Sequence, residues 1–114
     1  MRNLNEYIPT IIDQLKNIDI NKIVLFGSLA TDSYDNGSDI DLLVILDSDN
    51  ISQNFDEKMR NKLLVRRAIY EISKEIPIDL LVYTKKEFEI IEQNKTSFFN
   101  DITSNGKVLY EKAS

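Results

Sequence analysis

The sequence predicts one α/β (α+β) domain, a small mixed sheet of about three strands flanked by helices. Three observations carry that expectation. Short apolar runs at 22–26, 39–46 and 76–83 read as strands. Stretches with apolar residues at helical spacing separate them. Turn chemistry, "TDSYDNG" at 31–37 and "DSDN" at 47–50, divides the pieces. With 114 residues, 42% of them hydrophobic and 29% charged, the chain is composed to fold around a single core. One domain spanning 1–114 is expected.

Ile8, Ile11, Ile12, Leu15 and Ile18 recur at helical spacing and predict an amphipathic helix over roughly 7–17. Pro9 fits its first turn, where a missing N–H costs nothing. "KIVLF" (22–26) is a fully apolar strand stopped by Gly27, and Ser28 to Thr31 should begin a short helix. "DIDLLVIL" (39–46) is apolar on both faces after its first residues, so it should be central. Asn54 followed by Glu57 is a capping box that starts a helix near Phe55. Met59, Leu63, Ala68, Ile69 and Ile72 should be its buried stripe, running to about Lys74. "IPIDLLVY" (76–83) is the third strand, and Pro77 near its start suits an edge or an entry position. Thr84 and Glu87 form a second capping box for a helix through about Glu92. Phe98, Phe99 and Ile102 mark a last short helix, ended by Gly106, and "KVLYE" closes the chain in extended form.

The formal net charge of −5 disfavours unassisted binding to nucleic-acid phosphates and leaves room for a basic partner or metal ions. The chain has no cysteine and no histidine. A disulfide framework, a thiolate metal site and the commonest general base are thereby excluded. A bound metal would be held by oxygen, which points to magnesium, manganese or calcium. "MRNLNEYIPT" does not resemble a signal peptide, and no segment is long and apolar enough to span a bilayer. A soluble cytoplasmic protein is expected.

Side chains alternate along a strand, so Asp39 and Asp41 project from one face at the start of the second strand. Two carboxylates there repel, and apolar neighbours worsen the repulsion. A divalent cation between them would make the arrangement tolerable. Asp79 is the one acidic residue inside the apolar third strand. If those strands are neighbours, Asp79 completes a three-carboxylate cluster suited to one or two magnesium ions. Gly27 lets the backbone turn tightly and a phosphate approach closely. Ser28 would sit at a helix N-terminus, where free N–H groups favour an anion. An anion cradle beside a magnesium cluster suits a nucleoside triphosphate.

Each piece alone has a plainer reading. Gly27-Ser28 also makes a simple turn, Asp39 a turn cap, and Asp79 an ion-pair partner. A calcium loop is excluded, because setting Gly37 at the sixth loop position puts Tyr34 and Leu43 where oxygen ligands belong.

Together, "LFGS…SDIDLLV…IDLLVY" and the closing "NGKVLYE" resemble the minimal nucleotidyltransferase (MNT) group of the DNA polymerase beta superfamily, over nearly the whole chain. The resemblance implies the polymerase-beta-like nucleotidyltransferase fold. It implies that Gly27 and Ser28 hold the triphosphate of ATP, that Asp39 and Asp41 bridge two Mg2+ ions, and that Asp79 completes the catalytic metal site. It also implies a HEPN-domain toxin as partner, a ribonuclease silenced by transfer of AMP to a tyrosine, with this chain as the antitoxin. Two other roles are compatible with the family: an antitoxin that neutralises by binding alone, and a small-molecule nucleotidyltransferase. The segment after Gly27-Ser28 departs from the pattern. Many relatives read Arg-Ala-Arg-Gly where this chain has Leu29, Ala30, Thr31 and Asp32. Arg66, Arg67, Lys85 and Lys86 are the cations available to compensate.

Overall fold

The computed structural model describes residues 4–27, 39–94 and 97–112. The expected helix at Ser28–Thr31 and the turn at 31–37 lie outside the described residues. A 3-10 turn at Leu4–Tyr7 leads into α1 (Ile8–Leu15), with Pro9 in its first turn as its missing N–H requires. Then follow β1 (Ile20–Phe26), β2 (Ile40–Leu46), α2 (Phe55–Ala68), the one-turn α3 (Tyr70–Ser73), β3 (Ile78–Thr84), α4 (Lys85–Asn94), α5 (Ser97–Asn105) and β4 (Lys107–Glu111).

The sheet is mixed, in the order β3-β2-β1-β4. β1 pairs antiparallel with β2 and with β4, and β2 pairs parallel with β3. Among the described residues it has four strands, where about three were expected. The closing "KVLYE" is extended, as its composition implies, and docks on the outer side of β1 with Leu25 opposite Lys107. Its exposed and half-buried residues give little sign of a sheet partner. β2 is central and apolar on both faces, and β3 is an edge preceded by Pro77. The Pro77 carbonyl accepts from the Ile40 N–H at 3.1 Å, so the proline uses its acceptor and needs no donor.

Two clusters bury the sheet. On one face α1, α2 and α3 pack Ile11, Leu15, Val65, Ile69 and Ile72 onto the inward residues of the strands. On the other, Phe88 of α4 and Ile102 of α5 cover Val24, Leu43 and Ile45. The helix expected over 55–74 is broken at Ile69, whose backbone (φ −113°, ψ 23°) leaves the helical region. Its N–H bonds the Arg66 carbonyl, a tightened turn, and both Ile69 and Ile72 stay buried. The expected stripe holds only in the second half. Met59 and Leu63 are 38% and 43% exposed, because the first half of α2 lies along the free side of β3 and no further layer among the described residues covers it.

Both capping boxes form. The Asn54 side chain accepts from the Glu57 N–H at 2.9 Å, though the Glu57 carboxylate reaches back one residue further, to the Gln53 N–H at 2.7 Å. At α4 the exchange is reciprocal, Thr84 N–H to Glu87 at 2.9 Å and Glu87 N–H to Thr84 Oγ1 at 3.1 Å. Thr84 also donates its hydroxyl to the Asn50 carbonyl at 2.5 Å, and Glu87 accepts from the Ser52 N–H at 2.8 Å. This buried threonine thus caps a helix and pins the 47–54 loop. Thr84→Ala is expected to cost about 1–2 kcal/mol in urea unfolding, the usual loss for a helix cap, with faster amide exchange at Ser52.

Candidate active site

The site is built where three adjacent strands present the same row of the sheet. Phe26 is opposite Asp41 across β1–β2, and Asp41 is opposite Asp79 across β2–β3. Asp41 lies on the same face as Leu43 and Ile45, and Asp79 on the same face as Leu81 and Tyr83. The two carboxylates thus continue the α4/α5-side cluster past its covered part. Asp39 precedes β2 by one residue and is half-buried like Asp41, whereas Asp79 is exposed.

The Asp41 carboxyl is pushed up to about 6. Burial is the largest cause, followed by the Asp79 charge, a hydrogen bond shared with Asp79, and the Asp39 charge. The expectation that β2 and β3 are neighbours and bring Asp79 to Asp41 is met in register. Among the described residues no three acidic side chains already converge closely enough to hold a metal ion. The structure brings Asp41 and Asp79 together, with Asp39 in electrostatic range, and these are the carboxylates that could accept a cation.

Gly27 ends β1 with φ +75°, a left-handed conformation that glycine adopts freely. A Cβ there would collide with the Asp41 carboxylate. The expected turn at Gly27 is present, and glycine is required for a second reason, the closeness of Asp41. Ser28 lies outside the described residues.

Two depressions flank Phe26. One, of about 210 Å³, lies on the Gly27 side and is lined by Phe26, Gly27, Asp101, Asn105 and Gly106. The other, of about 300 Å³, holds Asp41 and Asp79 with Lys62 and Arg66 of α2 at its border. Of Arg66, Arg67, Lys85 and Lys86, Arg66 lines the depression that holds the carboxylates. Lys85 is 3.2 Å from Asp47, and Lys86 is 3.6 Å from Glu89, away from Asp41. Arg67 is exposed and does not line either depression. Lys62 escaped the sequence reading. Its spacing of four from Arg66 was the available signal, since it puts both on one side of the helix.

Gly27→Ala is expected to destabilise by about 1–3 kcal/mol, the scale of a strained backbone conformation, as read from the urea midpoint. Asp41 also imposes a pH dependence. Its folded value of about 6 exceeds the ordinary 3.8, so the folded state binds the proton more tightly. Stability from this group is therefore full at low pH and lost as pH rises through about 6. In metal-free buffer, Asp41→Asn should gain on the parent chain as pH rises across that window. A flat difference between the two would show that Asp41 does not hold this proton.

A search of curated proteins finds no match. Among solved structures, the chain is similar to one described as a toxin–antitoxin with AMP-PNP (TM-score 0.56, 18% identity, 92% of this chain and 73% of that one). It is similar also to a chain in a structure described as a tri-AMPylated Shewanella oneidensis HEPN toxin in complex with MNT antitoxin (TM-score 0.53, 16% identity, 95% and 72%). A mutant of the toxin–antitoxin MntA-HpeT gives a TM-score of 0.55 at 16% identity, over 92% and 73%. At these identities the likeness is one of fold. No helix among the described residues is long and apolar enough to cross a membrane. The family model for the nucleotidyltransferase domain matches residues 8–109, nearly the whole chain, including both strands that carry the facing aspartates. This chain belongs to the nucleotidyltransferase domain family.

Proposed function

We propose that the chain is a magnesium-dependent protein adenylyltransferase of the cytoplasm. It moves AMP from ATP onto a tyrosine hydroxyl of a HEPN-domain ribonuclease and so acts as that toxin's antitoxin. The observation that carries the transfer reading is the Asp41–Asp79 pair set beside Gly27, with Asp39 in range. The antitoxin reading is supported by the fold shared with MNT antitoxin, one example of which is in complex with a tri-AMPylated HEPN toxin.

Magnesium fits the donor set. Asp39, Asp41 and Asp79 offer only carboxylate oxygens, and the crowding that raises Asp41 marks negative charge that a divalent cation would offset. These three residues would hold two ions. When bound, magnesium supplies neutralisation of the triphosphate and a lower pKa for the attacking hydroxyl. Gly27 lets the triphosphate approach the backbone, and Ser28 donates a hydrogen bond to it. Asp79 takes the tyrosine proton as the phenolic oxygen bonds the α-phosphorus and the bond from phosphorus to the pyrophosphate oxygen breaks. Lys62 and Arg66 lie beside Asp79, on the acceptor's side of the pair. Rate enhancement comes from alignment and charge stabilisation.

One sequence observation favours a second reading, neutralisation by binding alone. Leu29–Asp32 lacks the phosphate-facing arginines of many relatives and adds a carboxylate. A single experiment separates the two. The HEPN partner is incubated with this chain, ATP and magnesium, and its intact mass is measured. Mass gains of whole AMP units are expected, and Asp39→Asn with Asp41→Asn should slow them at least about a hundredfold, as for other losses of transition-state charge stabilisation. Undiminished transfer by the double variant would overturn the mechanism. A double variant that still silences the ribonuclease, with no mass gain from either protein, would establish binding alone.

A further inference from the structure

A row of cations borders the side of the carboxylate pair away from Gly27. Lys58, Lys62 and Arg66 follow one another at four-residue spacing on α2, about 6 Å apart along one side of the helix. Lys58 Nζ lies 4.9 Å over the Tyr83 ring, and Arg66 borders the depression that holds Asp41 and Asp79. The row therefore runs along β3 from Tyr83 back to Asp79, roughly 13 Å for four residues of strand. Among the described residues none of the three is within salt-bridge distance of a carboxylate.

Among the described residues β3 is the outermost strand on this side of the sheet. Four consecutive residues of it, Leu80 to Tyr83, line a groove of about 160 Å³ whose other wall is Phe55, Lys58, Met59 and Lys62. Consecutive residues point to opposite faces, so the groove follows the strand's edge. It shares Lys62, Leu80 and Leu81 with the depression around Asp41 and Asp79, so the two adjoin and together form a channel along the strand. Phe55 beside it is 74% exposed. Lysines beside an edge strand, here on α2, also keep other chains from pairing there. That role asks for charge alone, and does not account for a row that leads to the carboxylate pair.

The helical repeat of four residues, about 6 Å, nearly matches the two-residue repeat of an extended chain, about 6.6 Å. Carboxylates at alternate positions of an extended segment would thus meet the three cations in turn. We propose that the channel receives an extended acidic segment of the acceptor protein as an added strand along β3, delivering its hydroxyl-bearing residue to Asp41 and Asp79. This rests on the transfer reading given above. The cations lie across the carboxylate pair from Gly27, so they face the acceptor and not the triphosphate. Main-chain pairing supplies affinity and the alternate carboxylates supply selection.

The test reads binding, without ATP, by fluorescence anisotropy. The probe is a labelled peptide with glutamates at three alternate positions and a tyrosine after the last. It should bind the full chain, whereas the same peptide with lysines should not. Lys58→Glu with Lys62→Glu should weaken binding at least about tenfold and should instead take up the lysine peptide, which shows that the variant is folded. N-methylation of the amides on the pairing edge should abolish binding. Equal binding of the glutamate and lysine peptides, or indifference to N-methylation, would overturn the proposal. So would stronger displacement by single-stranded RNA, self-association of the chain through this face, or loss of ATP affinity equal to the loss of peptide affinity in the double variant. If the peptide binds as expected and no AMP reaches it or the HEPN partner, docking stands and the transfer reading falls. If AMP reaches the partner and the peptide does not bind, the reverse holds.

Discussion

The pairing of β2 with β3 is the constraint on which the candidate site depends. A parallel register that sets Asp41 beside Asp79 holds two carboxylates side by side, and it does so against their repulsion. What holds it is apolar burial elsewhere along the same strands. Ile40, Leu42, Val44 and Leu46 fill one side of β2 and Leu43 and Ile45 the other. A slip of one residue would turn Leu80 and Val82 away from the α2 face and drive Asp79 into it. The hydrophobic pattern thus selects the register, and the register creates the charge crowding.

The two ends of the sheet are treated differently. At the far end Asp47 accepts from Lys112 at 2.6 Å and from Lys85 at 3.2 Å, tying the end of β2 to the start of α4 and the end of β4. These hydrogen bonds, Lys112's first, hold its carboxyl below the usual range. Both lysines are solvent-exposed and Asp47 is only half-buried, so the contacts matter more for geometry than for stability. Thr84 and Glu87 pin the adjoining loop. At the near end the carboxylates face open depressions, with Phe26 between the Gly27 side and the Asp79 side. One end is cross-linked by opposite charges. The other keeps like charges together, a surplus that a bound cation would offset.

The α2 helix shows how a local pattern can be right in type and wrong in burial. Met59 and Leu63 have the spacing of a core stripe, yet Val65, Ile69 and Ile72 are what the sheet covers. A helix longer than the layer beneath it must leave part of its apolar face uncovered. Here that part lies along the edge strand, where it forms a groove in place of a core.

Strands, helices, capping boxes and the candidate pair Asp39 and Asp41 were legible in the sequence, because each depends on neighbours within a few residues, and Asp79 stood out as the one acidic residue of an apolar strand. Alternation puts Asp39 and Asp41 on one face wherever the strand goes, and Asn54–Glu57 and Thr84–Glu87 cap their helices by local bonds. Gly27 was legible as a turn. Its second requirement, room for the Asp41 carboxylate, arises only when β1 and β2 pair. The fourth strand, the break at Ile69, the approach of Lys62 and Arg66 to Asp79, and the raised Asp41 were decided by the tertiary structure. Each depends on groups far apart in the chain, and a one-dimensional pattern holds no distance between them.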